Sequence, residues 1–142
     1  MRVDFYVLSD ASVPARLLLA CRLAEKAYLA SQSVLIWHTE RAELEMLDER
    51  LWTFTDTSFV PHDWLGGGAE APVMLSVEPP AGPVQILIHL GLSMQPPPFL
   101  AHVARVIEIV DGEPSRRDAG RARFKAYRRM GLSPGTHTLQ TP

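Results

Sequence analysis

The chain has one cysteine, Cys21, among 142 residues. That excludes an internal disulfide and any cysteine-based zinc site, and the setting LLLACRLAEKA makes Cys21 a small apolar side chain on a helix. Lysine is almost as scarce: Lys26 and Lys125 are the only two. Glycine-lysine-serine or glycine-lysine-threonine therefore occurs nowhere, so the Gly66, Gly67, Gly68 run is a loop and not a phosphate-binding turn. No apolar run approaches the length of a membrane span, the opening MRVDFYVLSD is too short and too polar for a signal peptide, and no internal repeat is visible. The expectation is a cytoplasmic protein without membrane contact.

What is present suits one globular domain: 46% apolar residues, a formal net charge of -2, and twelve prolines gathered mainly in VEPPAGP, QPPPF and the final residues. Val3 to Leu8, rich in β-branched and aromatic residues, predicts a buried strand. Ser12 can cap a helix with Pro14 in its first turn that runs to about Ala30. Val34 to Trp37 is a second strand, and Thr39 with Glu40 opens a helix through RAELEMLDERLW, with Leu44, Leu47 and Leu51 along one side. Trp52 flanks that stripe and does not centre it. Strand, helix, strand, helix predicts an α/β fold with a largely parallel sheet. Further strands are expected at Val73 to Val77, Val84 to Leu90 and Arg105 to Val110, a helical turn in QPPPFLAHV, and a weakly ordered tail over 134–142 after a domain spanning 1–133.

Catalytic chemistry finds little support. The turn Ser9, Asp10, Ala11, Ser12 after the first strand contains no glycine, so a pyrophosphate cannot approach its backbone as dinucleotides require. The five histidines, His38, His62, His89, His102 and His137, are scattered, and none sits four residues from another beside a glutamate, so no metal site is expected. Gly91, Leu92, Ser93, Met94, Gln95 starts like a nucleophile elbow but lacks the closing glycine. The carboxylates of RAELEMLDER read as a solvated helix face. The expectation is a protein with no catalytic residues and no cofactor.

Charge is concentrated instead. Ser115 to Met130, SRRDAGRARFKAYRRM, holds seven of the chain's 14 basic residues, and only Asp118 opposes them. On a helical wheel Arg117, Arg121, Lys125 and Arg128 span roughly 100°, with Phe124 among them. Ala119, Ala122, Ala126 and Met130 lie opposite, as a face that packs on a sheet, and Gly131 follows as the cap. A solvated basic face is one reading of this stretch. An anion-binding face is the other, and its contrast with an acidic chain favours it.

DFYVLSD, LDERLW followed by SFVPHDW, VQILIHL and RARFKAYRRMG, in that order and spacing, resemble the chi subunit of bacterial DNA polymerase III over most of residues 3–133. The resemblance implies a three-layer, nucleotide-binding-like domain without a nucleotide, acting as a non-enzymatic accessory of the clamp loader. It also implies two partners, the acidic C-terminal tail of single-stranded-DNA-binding protein and the psi subunit. The tail-binding positions fall on Val110, Arg117, Arg121, Phe124 and Lys125, with Arg128 adding field from the same face. Arg117 stands where the family has lysine and Phe124 where tyrosine is common, so one hydrogen bond is lost but not the slot. The psi-binding positions fall on Trp52 and Phe59, with Val60 and Pro61 beside them. The competing expectation is that the basic helix binds single-stranded nucleic acid directly, which a net acidic chain with few surface aromatics disfavours.

Overall fold

A computed structural model describes residues 1–57, 59–68 and 70–139. Among these residues seven strands form one sheet: β1 Arg2–Leu8, β2 Val34–Trp37, β3 His62–Trp64, β4 Val73–Ser76, β5 Val84–His89, β6 Val103–Val110 and β7 Gly135–Leu139. Their order is β3-β4-β2-β5-β6-β1-β7, and each neighbouring pair is parallel. Helices α1 Val13–Leu29 and α2 Arg41–Thr53 cover one face, and α3 Pro114–Arg129 covers part of the other. This is the three-layer α/β domain expected. Among the described residues, no helix is long and apolar enough to cross a membrane.

Local chemistry explains the helix starts. Ser12 Oγ accepts from the Ala15 amide at 3.1 Å with Pro14 in the first turn of α1. Under α1 and α2 lie Leu17, Ala20, Cys21, Ala24, Leu44, Leu47 and Leu51, packed on Ile36, Leu75, Ile86 and Ile88. Burial pushes the Cys21 thiol up to about 12, so it is an inert core group. The turn in QPPPFLAHV is a short 3-10 helix, Leu100–His102. Gly131 has φ +88°, the left-handed cap that ends α3.

Two strands depart from expectation. Gly135–Leu139 lies within the segment read as a weakly ordered tail, yet it pairs in register with β1 from Asp4↔Gly135 to Leu8↔Leu139 and forms the sheet's edge. Its Thr-His-Thr centre is polar because edge strands face water. His137 fixes it by stacking on Tyr6 at 4.6 Å and by approaching Asp4 at 3.3 Å. The rest of that segment, 140–142, lies outside the described residues. His62–Trp64, the other edge, is not among the strands expected from the sequence, because three residues are too few to show alternation.

Candidate functional site

Glu113 caps α3 with its own carboxylate, accepting from the Ser115 and Arg116 amides at 3.1 and 2.8 Å, and these donors hold its carboxyl below the usual range. Arg116 then grips Asp111 through two bonds of 2.7 Å, while Asp111 also accepts from the Ser12 amide at 2.8 Å. One carboxylate at the end of β6 thus ties down the starts of both α1 and α3.

The buried face of α3 is Ala119, Gly120, Arg123, Ala126 and Tyr127. A Cβ on Gly120 would stand 2.7 Å from Val110 Cγ2, so glycine is what lets the helix settle on β6 there. Arg123 is the unexpected member. It donates to Glu108 at 3.1 Å and to the Ser93 carbonyl at 2.7 Å, while Tyr127 Oη donates to Glu108 at 2.8 Å and His89 Nδ1 lies 2.9 Å from the same carboxylate. Burial would raise the Glu108 carboxyl, but His89, Arg123 and the donated hydrogen bonds outweigh it and hold it below its ordinary value. Trp37 stacks on His89 at 5.1 Å and closes the cluster. Ala122 and Met130, expected on this docking face, are not there: Ala122 is half-buried and Met130 is 55% exposed. A wheel judged on side-chain size missed that an arginine can point inward when a strand supplies its carboxylate.

The outward face carries the expected cations. Arg117, Arg121, Lys125 and Arg128 are exposed, and the structure brings Arg117 and Arg121 no closer than 4.0 Å to Asp118. Phe124 is half-buried, with its ring set edge-on against Phe5 at 5.2 Å. Val110 is buried beneath Gly120 in the same apolar cluster as Phe5, on which Phe124 also packs. An open recess of about 340 Å³ lies on the flank of α3 away from Phe124, lined by Asp118, Arg121, Ala122, Lys125 and Arg129. It shares Arg121 and Lys125 with the expected set, but Val110, Arg117, Phe124 and Arg128 do not line it. Arg129 was overlooked, although Arg121, Lys125 and Arg129 at i, i+4 and i+8 already form a row in the sequence.

The second expected pair also converges. Trp52 and Phe59 are 51% and 64% exposed, with ring centroids 5.6 Å apart. Beneath Trp52, at 4.2 Å, lies the ring of His62. Val60 does not join them, because it is fully buried in the main core, and Pro61 is half-buried.

At the carboxyl end of the sheet, where open α/β folds bind ligands, the space is occupied by the chain itself. Buried Arg16 donates to Glu43 at 3.0 Å and to the Leu90 carbonyl at 2.9 Å, and His38 stands beside them. Burial first and Arg16 second push the His38 imidazole down to about 4, so it is neutral near pH 7. His38, Glu40 and Glu43 bring their ligand atoms within 4.8 Å of one another. A cation fits them poorly. The Glu40 amide donates to His38 Nδ1 at 3.3 Å, which leaves the ring proton on Nε2, and Glu43 already answers the Arg16 guanidinium.

Residues 1–134 match the family model described as DNA polymerase III chi subunit, HolC. The DNA polymerase III subunit chi of Pseudomonas aeruginosa is 42% identical over 139 residues, 97% of this chain and 96% of that protein. The subunit chi of Escherichia coli K12 is 32% identical over 124 residues, covering 84% and 83%. That of Haemophilus influenzae is 24% identical over 139 residues, 96% of each.

Proposed function

This chain belongs to the DNA polymerase III chi subunit family, and from that premise we propose that it is a non-enzymatic adaptor of the cytoplasmic replication machinery. One surface takes the acidic C-terminal tail of single-stranded-DNA-binding protein. The other pairs with the psi subunit.

The observation that carries the reading is α3: exposed Arg117, Arg121, Lys125 and Arg128 run along one side of a half-buried Phe124 backed by Phe5, on a helix seated over Val110. A peptide that ends in an apolar residue and a free carboxylate needs an apolar ledge beside guanidinium groups, and arginine can hold that carboxylate through two bonds. Upstream acidic residues then find Lys125 and Arg129 around the adjoining recess. The psi assignment rests on Trp52 and Phe59, an exposed aromatic pair on the far side of the sheet's other helical layer.

Calorimetry with a peptide of the tail's last residues tests the first surface. Arg121→Ala and Phe124→Ala are each expected to cost about 2 kcal/mol of tail affinity, as anchors of small interfaces do. Unchanged affinity in both variants removes the site. A gel shift with naked single-stranded DNA at physiological salt separates this reading from direct nucleic-acid binding, because tight binding without the protein partner belongs only to the latter.

A further inference from the structure

The Trp52 surface carries charge that the pairing with psi leaves unassigned. Counting back along α2 from Trp52, positions three, four and seven residues earlier share its face, and these are Glu49, Asp48 and Glu45. Asp56 follows just beyond the helix. Glu45 is engaged by Arg41 at 3.2 Å. Asp48 is committed inward, with one oxygen 2.9 Å from His62 Nε2 and the other accepting from Trp64 Nε1 at 3.3 Å. Glu49 and Asp56 are exposed, and neither carboxylate has a partner among the described residues.

The aromatic pair is set in advance. His62 is buried and held at both nitrogens, with Nδ1 2.7 Å from the Val60 carbonyl and Nε2 at Asp48. Its ring is therefore a fixed floor for Trp52, and Phe59 stands at the side. An anchor that is already oriented loses little side-chain freedom when a partner covers it.

We propose that this surface selects a partner segment in which an apolar side chain is flanked by lysine or arginine. The apolar group covers Trp52 and Phe59, and the cations meet Glu49 and Asp56. The inference rests on the reading of this patch as the psi contact and states which part of psi lands on it. The same carboxylates repel an acidic peptide, so the protein's two surfaces sort their ligands by sign.

The test uses the intact protein and the recombinant psi subunit from the same genome, with association and dissociation followed at low and high salt. Combining Glu49→Lys with Asp56→Lys is expected to weaken psi binding about tenfold at low salt, mainly through slower association, and to flatten the salt dependence. Pairing Glu49→Gln with Asp56→Asn should weaken it about threefold. Both variants should bind the tail peptide as the parent does, which shows that they are folded. If Trp52→Ala abolishes psi binding while the charge reversal changes neither affinity nor salt slope, the inference is overturned and the psi patch stands. If Trp52→Ala binds psi as the parent does, the patch itself is wrong.

Discussion

Helices α2 and α3 each turn one face to solvent, but what lies beneath them differs. Under α2 are Leu44, Leu47 and Leu51, all without exposed surface, and contact of this kind has no preferred direction. Under α3 are Arg123 and Tyr127, both bonded to a buried Glu108. Charge-assisted hydrogen bonds act over narrow ranges of angle, so they fix the rotation of the helix about its own axis. The difference shows up outside. On α3 the bonds below decide where Arg117, Arg121 and Arg128 point, whereas on α2 the exposed Trp52 is aimed by its own support, His62 and Asp48.

Removing the ionic foundation is the strongest way to break the contrast. Glu108→Gln leaves Arg123 without its counter-charge in a site closed to water, and should cost about 3–5 kcal/mol in chemical denaturation. Should the loss be under about 1 kcal/mol, α3 is held by apolar contact after all and the two helices are alike.

Acid sharpens the comparison from the other side. Because the folded protein holds His38 near 4 while the unfolded chain protonates it near 6.5, stability should be flat above pH 6.5 and fall between there and about 4. The full loss is about 3 kcal/mol. Glu108, held below its usual 4.5, keeps its contribution until the pH falls lower still. The bonds at the head of α2 should therefore weaken in mild acid before those beneath α3, and His38→Gln should remove most of that slope when denaturation is followed from pH 7.5 to 4.

The smallest effect concerns independence. Trp52→Ala is expected to leave tail-peptide affinity within about 0.5 kcal/mol by calorimetry, since separate layers of the sheet carry the two surfaces. A larger change would join them into one site.

Much of this was readable beforehand where the signal is local. Ser12 and Pro14 announce α1, the spacing of Leu44, Leu47 and Leu51 orients α2, and VLIW is β2 without a residue's error. Trp52 and Phe59 meet as expected, with His62 supplying a floor that no local pattern announces. Arg123 was not readable, because its burial depends on a carboxylate 15 residues away on β6 that only the folded sheet brings underneath. The strand β7 was missed for a similar reason: GTHTL has no apolar alternation of its own and becomes a strand only against β1. Val60, between exposed Phe59 and half-buried Pro61, is buried because the chain dips into the main core there.

The position of β1 has one more consequence. It precedes the other six strands in sequence, yet both of its neighbours come from the last third of these residues, with Arg2 opposite Arg105 and Asp4 opposite Gly135. During synthesis its two edges stay bare until β6 and β7 have been made, after all the other strands, so closure of the sheet around it is a late event. Truncation from the C-terminal end therefore uncovers the oldest part of the molecule first.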